Sequence, residues 1–176
     1  MIENERTFVE LIQIRNNEAL EFLYRDFMKS LAYIVNKFTH NHEEAKDVYH
    51  DLYFKICDAT MKFRFECSYK TFISRIAYYY LINRAKKNKK EVPINLFITE
   101  SSTVNVEDTI IKKETKKNLE IAFDQLTPEE KMLLIMKVNL GFKYRELEDI
   151  LELPMNNLKV KIYRARCKLN KLYNKE

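Results

Sequence analysis

Apolar residues recur at three- and four-residue spacings along most of this chain, the period of a helix with one buried face. Phe8, Leu11 and Ile12 open the first stretch. Leu20, Leu23, Tyr24, Phe27, Leu31, Ile34, Val35 and Phe38 form the second, with Asn16-Asn17 as the break between them. Thr39-His40-Asn41-His42 is the next break, where Asn41 or His42 is placed to cap the next helix. That third helix is predicted from about Glu43 to Met61, with Val48, Leu52 and Ile56 turned inward. Residues 62–70 read as a short aromatic-basic loop. A fourth helix begins near Ser68–Thr71 and carries Phe72, Ile73, Ile76, Ala77, Tyr80 and Leu81. The period disappears over 91–106, which reads as a flexible linker, and returns from about Val106 to Leu126.

The end of the chain has sharper punctuation. Thr127-Pro128-Glu129-Glu130 is a helix start: the Thr127 hydroxyl and the Glu130 carboxylate satisfy each other's backbone amides, and proline fits the first turn. That helix ends near Leu140, where Gly141 is placed to take a left-handed conformation. A short helix over Tyr144–Leu151, a Glu152-Leu153-Pro154 turn and a last helix to about Tyr173 make a helix-turn-helix pattern. On the last helix, Leu158, Ile162, Ala165, Leu169 and Leu172 form one stripe. The opposite face holds Asn156, Val160 and Tyr163, flanked by Asn157, Lys159 and Arg164. Amides, cations and an aromatic on one face can reach base edges and phosphates in a major groove. The fold class is therefore all-α: two small helical domains, residues 1–90 and 107–176, joined by the linker 91–106.

Composition narrows the picture. The chain has 176 residues and a single glycine. Gly-rich phosphate loops, dinucleotide-binding turns and hairpin-dense β folds rely on glycine and are excluded. Cys57, Cys67 and Cys167 are too few and too scattered for a disulfide frame. No signal-peptide pattern opens the chain, and the longest pure apolar run, Met132–Met136, is far too short to span a bilayer. A reducing, cytoplasmic setting without membrane insertion is the expectation. The net charge of +5 hides a division. Residues 84–90 carry +5 and residues 155–176 carry +6, which leaves −6 for the rest. Two basic blocks on a mildly acidic body fit two contacts with a polyanion. Solvated helix ends that complement the helix dipole explain the same charges, and from charge alone that plainer reading is preferred.

Three stretches resemble the extracytoplasmic-function (ECF) sigma factors, the two-domain bacterial sigma factors of RNA polymerase. The first runs from Glu44-Ala45-Lys46-Asp47-Val48 to Lys55-Ile56. The second is Phe63-Arg64-Phe65-Glu66-Cys67-Ser68-Tyr69-Lys70-Thr71-Phe72-Ile73-Ser74-Arg75-Ile76-Ala77, followed by Ile82-Asn83-Arg84 and the lysines. The third runs from Leu126-Thr127-Pro128 through Gly141-Phe142-Lys143-Tyr144 to Lys159-Val160-Lys161-Ile162-Tyr163-Arg164-Ala165-Arg166. Together they cover most of residues 18–172 at the family's spacing.

The resemblance implies a role for each stretch. The first would dock on the clamp coiled-coil of core RNA polymerase through Asp47, His50 and Asp51, which share one helical face. The second would open the −10 promoter element and hold a melted strand through Phe63, Arg64, Tyr69, Lys70, Arg75, Tyr79, Asn83, Arg84, Lys86 and Lys87. Aromatic faces beside cations are what single-stranded DNA binding needs. For Phe72 and Tyr80, on the apolar stripe, a core role is preferred. The third would read −35 promoter DNA through Asn156, Asn157, Lys159, Lys161, Tyr163 and Arg164, with Lys161 better suited to phosphate than to a base. The polymerase flap and an anti-sigma factor are further partners that the family implies.

This sequence departs from the family pattern at four positions. Phe65 and Glu152 stand where the family has glycine, Glu148 where it has a small alanine, and Lys143 where a capping serine is frequent. Glu152 in a left-handed conformation would cost roughly 1 kcal/mol. Glu148 would have to snorkel or widen the crossing of the two helices.

Other chemistry is sparse. His40, His42, His50 and Cys57 match no metal-ligand spacing, and no nucleophile–base set is present. No metal, cofactor or enzymatic activity is expected. Two alternatives stay open: a stand-alone helix-turn-helix regulator with a sensing or dimerising N-terminal module, and a sigma mimic that reads no DNA. The aromatic loop and the basic block favour the sigma reading, because a repressor has no use for a single-strand surface.

Overall fold

A computed structural model describes residues 4–39, 41–88 and 117–174. The described residues form helices and contain no strand. The linker expected over 91–106, the start of the helix after it, and His40, Lys89 and Lys90 lie outside them.

Short polar residues set the helix starts. Asn4 accepts a hydrogen bond from the Arg6 amide and opens α1 (Glu5–Gln13), which buries Phe8, Val9 and Ile12. Asn16 accepts from the Ala19 amide and opens α2 (Asn17–Phe22), so the predicted break falls where expected. A π turn, Leu23–Phe27, carries α2 without interruption into α3 (Met28–Lys37). Asn41, rather than His42, caps α4 (His42–Thr60) by accepting from the Glu44 amide at 2.7 Å. On α4 the buried stripe is Ala45, Val48, Leu52, Ile56 and Thr60. Ser68 accepts from the Thr71 amide at the start of α5 (Tyr69–Asn88). There Tyr69, Ile73, Ala77 and Leu81 are buried at four-residue intervals.

The second half begins with α6, described over residues 117–124. The predicted reciprocal cap opens α7 (Pro128–Leu134): the Glu130 amide donates to Thr127 Oγ1 at 3.3 Å and the Thr127 amide to Glu130 Oε2 at 2.8 Å. A second π turn, Ile135–Asn139, extends α7. Gly141 lies just beyond it at φ +67°. Then come α8 (Tyr144–Leu151) and α9 (Met155–Tyr173). Glu152, between them, has φ 55°, the left-handed conformation expected of it.

Glu148 has a role that the sequence did not show. Its Oε1 accepts from the Met155 amide at 3.0 Å. Pro154 at the N-cap of α9 offers no side-chain acceptor, so Glu148 satisfies an amide that would otherwise lack a partner. Lys143 also works without the family's serine, because Glu146 Oε2 accepts from the Lys143 amide at 2.7 Å.

The halves meet through α5, which packs against α7 and α8. One apolar cluster runs through both, from Phe8, Val48 and Leu52 to Met136, Leu147 and Ile162. Lys131 is buried inside the second half and is compensated by Asp124 Oδ1 at 3.1 Å.

Candidate nucleic-acid interface

The cationic face of α9 is set by its apolar stripe. Leu158, Ile162 and Ala165 are buried, with Leu169 and Leu172 packed half-buried beyond them. That orientation leaves Asn156, Asn157, Lys159, Val160, Lys161 and Arg164 exposed, with Tyr163 at 68%. Lys161 is exposed at the edge of this face as well. Lys159 Nζ lies 5.9 Å over the Tyr144 ring, a cation–π contact that tethers a long side chain at the edge of this face.

The surface around the 62–70 loop differs from the expectation at two rings. Phe63 is only 7% exposed and Tyr69 is completely buried. Tyr69 hydrogen-bonds Thr60 Oγ1 at 2.8 Å, and burial pushes its phenol well above the ordinary value, with the Thr60 hydrogen bond opposing. Phe63 and Tyr69 are therefore core residues and not stacking platforms. They pack on each other and on Phe72, which is half-buried, as is Tyr80. The reason is tertiary: α1 closes over this loop. Gln13 Nε2 donates to the carbonyls of Thr60 at 3.0 Å and Phe63 at 3.2 Å, and Phe8 packs edge-on to Tyr69.

Phe65 holds the outer position instead. Its backbone is left-handed (φ 61°), its ring is 36% exposed, and the Arg6 guanidinium sits 5.2 Å over it. Beside it Lys62, Arg64, Glu66, Cys67 and Arg75 line a cup of about 430 Å³, floored by Phe63 and Phe72. Tyr79, Asn83, Lys86 and Lys87 are exposed along α5. Arg84 is half-buried and bonded to Glu44 Oε1 at 2.8 Å. The cup is thus a basic concavity with aromatic edges, and further exposed cations follow along α5.

The acidic face of α4 is a third surface. Asp47, His50 and Asp51 are all exposed on it. Tyr80 Oη donates to Asp51 Oδ2 at 3.1 Å, and His50 Nε2 is 3.4 Å from Tyr24 Oη. Phe54, three residues beyond Asp51, is 64% exposed, an apolar group that the pattern of motifs did not single out. Its only signal was position, because i+3 from Asp51 and i+4 from His50 put it on the same face.

Among the described residues no group of three or more His, Cys, Asp or Glu is arranged to hold a metal, and no helix is long and apolar enough to cross a membrane.

Comparisons with known proteins match two separate stretches of the chain. Residues 23–91 match the family model for sigma-70 region 2, and residues 117–169 match that for sigma-70 region 4. RNA polymerase sigma factor YlaC of Bacillus subtilis is 24% identical over 162 residues, spanning 90% of this chain and 94% of its own. RNA polymerase sigma-H factor of Pseudomonas aeruginosa is 20% identical over 180 residues, spanning 96% and 93%. The structure of CnrH in complex with the cytosolic domain of CnrY matches with a TM-score of 0.71 at 16% identity, covering 98% of both chains. That likeness is one of fold.

Proposed function

Because this chain belongs to the sigma-70 family, with ECF-type regions 2 and 4, and acts as a sigma factor in transcription initiation, we propose how its surfaces divide that work. The α9 face takes −35 duplex DNA through Asn156, Asn157, Lys159, Lys161, Tyr163 and Arg164. Amides and arginine suit base edges, and the lysines suit phosphates. The basic concavity of α5 and its preceding loop takes the melted −10 strand. Arg64, Lys70, Arg75, Asn83, Arg84, Lys86 and Lys87 supply polar and cationic contacts there, with Tyr79 and Phe65 as the accessible rings. Asp47, His50 and Asp51 dock on the clamp coiled-coil of core polymerase, with Phe54 as an apolar anchor inside an acidic rim. Residues 1–90 thus form the docking and −10 domain, 107–176 the −35 domain that also meets the flap, and 91–106 the link between them. The protein works in the cytoplasm, beside the polymerase.

The observation that carries this reading is the presence, on one chain, of a helix-turn-helix cation face and a separate aromatic-cationic concavity. A duplex reader alone needs only the first. An anti-sigma partner is part of the proposal, supported by the fold shared with CnrH, whose structure contains the cytosolic domain of CnrY. The test is reconstitution with core polymerase, then run-off transcription on genomic fragments. Promoter-specific transcripts that require this chain are expected. Absence of a polymerase complex would sink the assignment, and a complex without specific transcripts would remove the DNA-reading half of it.

A further inference from the structure

The loop beside the cup is gripped by a helix that lies outside the matched family region. α1 precedes residues 23–91, the stretch similar to sigma-70 region 2, yet it touches the 60–69 segment at both ends and on its outer side. Gln13 is half-buried and uses both amide hydrogens there. Its Nε2 donates to the Thr60 carbonyl at 3.0 Å and to the Phe63 carbonyl at 3.2 Å. Thr60 ends α4, and the last carbonyls of a helix find no donor within it. The Thr60 carbonyl also accepts from the Phe63 amide at 3.1 Å. One side-chain amide thus ties the end of α4 to Phe63, the floor of the cup. Phe8, buried, packs edge-on to Tyr69 at 5.8 Å and to Phe22 at 5.4 Å, which fixes α1 to the far end of the loop.

Arg6 holds the outer side. Phe65 has a left-handed backbone, which a residue with a Cβ keeps only where its surroundings hold it there. Those surroundings are Phe63 on one side, with ring centres 5.1 Å apart, and the Arg6 guanidinium 5.2 Å over the ring on the other. Arg6 itself is 70% exposed. Its Nε bonds Glu10 Oε1 at 3.0 Å, which leaves the two Nη groups to meet a phosphate.

We infer that α1 is a working part of the −10 site: Gln13 positions the loop that shapes the cup, and Arg6, stacked on Phe65, adds a cationic contact for the strand that passes it. The strand contact rests on the proposed −10 role of this loop; the grip of α1 on the loop does not. A loop without the Gln13 amide samples other shapes. Affinity for an extruded base then falls with the fraction of molecules that hold the binding shape. Selection among bases falls with it, because a base pocket discriminates through fixed shape and fixed hydrogen-bonding groups. Gln13 is a positioning residue in this scheme, and Arg6 a contact residue.

The experiment uses the full chain and the variants Gln13→Leu, Gln13→Lys, Arg6→Ala and Arg6→Lys, each checked for folding by circular dichroism melts. The first readout is the rate at which iodoacetamide alkylates Cys67, a half-buried thiol of the loop, followed by peptide mass with Cys167 as reference. Gln13→Leu should speed alkylation of Cys67 at least about fivefold and leave Cys167 unchanged. Gln13→Lys, which restores a donor of similar reach, should return most of the protection. The second readout is run-off transcription by the reconstituted holoenzyme from a promoter library with randomised −35 and −10 elements. Gln13→Leu should reduce the ratio of best to worst base at the −10 element at least about fivefold, with −35 preference unchanged. Arg6→Ala should keep the base preference and lower transcript yield about threefold, and Arg6→Lys, with the charge but not the planar face, should recover part of it. An unchanged Cys67 rate in Gln13→Leu would overturn the positioning role. A faster rate with an unaltered −10 preference, or a loss spread equally over both elements, would overturn its link to base capture. Full yield from Arg6→Ala would remove Arg6 from the path of the strand. Alkylation needs neither polymerase nor DNA, so a failed reconstitution and a failed grip of α1 are told apart.

Discussion

Glu148 is an acidic residue at a crowded helix crossing, yet it serves as a cap. The carboxylate reaches the Met155 amide because the left-handed turn at Glu152 brings the start of α9 back beneath α8. Glu148→Ala should therefore cost about 1 kcal/mol in urea denaturation, as loss of a cap does. Tyr69 differs from its expectation in the opposite direction. A tyrosine in a basic loop suggests a base platform, but this one is sealed under α1 and bonded to Thr60. Tyr69→Phe should lower stability by about 1 kcal/mol and leave single-strand binding unchanged. Tyr79→Ala should weaken binding with a smaller loss of stability than a core ring would give, since Tyr79 is 42% exposed and packs edge-on only to Tyr78 among the rings described. Along the chain the two tyrosines look alike, because exposure depends on which helix lies above and not on residue type.

At the scale of elements, α9 was the most legible. Its stripe and its cation face both come from a four-three spacing that the structure reproduces. Lys159→Ala should weaken duplex binding and reduce the slope of log affinity against log salt by about 1, the lost phosphate contact, whereas Arg164→Ala should weaken binding and relax base specificity. An unaltered slope would separate Lys159 from the duplex. The tie between α7 and α9 was not legible. Lys168 Nζ lies 2.7 Å from Glu130 Oε2, on the same carboxylate that completes the cap of α7. Burial alone would raise the Glu130 carboxyl, but hydrogen bonds from Lys168 and from the Thr127 backbone, with the Lys168 charge, outweigh it and hold the carboxyl below its ordinary 4.5. A depressed folded value means that the stabilisation is complete above pH 4.5 and is lost as pH falls through that lower value. Glu130→Gln should lower the melting temperature at neutral pH and flatten its decline below pH 4.5, as measured by calorimetry.

At the scale of the whole molecule, the surfaces are separate enough to be tested one at a time. The acidic face of α4 shares no residue with the α9 face. Asp47→Arg with Asp51→Arg should weaken polymerase binding about tenfold or more, with duplex affinity and the circular dichroism spectrum unchanged. Unchanged polymerase affinity would remove the clamp-docking assignment. The mild net charge also acquires a spatial meaning. The acids that offset the second basic block include Glu129, Glu146 and Glu152, and these lie against cations of the first half. Charge counted along the chain cannot show that pairing, because its partners are more than forty residues apart.

Sequence alone determined what local physics controls. Helix period, the break at Asn16-Asn17, the cap at Thr127, a cap at Asn41 or His42, the left-handed positions at Gly141 and Glu152, and the helix-turn-helix all arise from residues within a few positions of one another. The order of three motifs added the family. Tertiary structure decided which rings are buried under α1, which carboxylate caps which helix, and which cations of α5 are held by α8. Those outcomes depend on long-range packing and on the distance between charges in space, and neither is written in spacing along the chain.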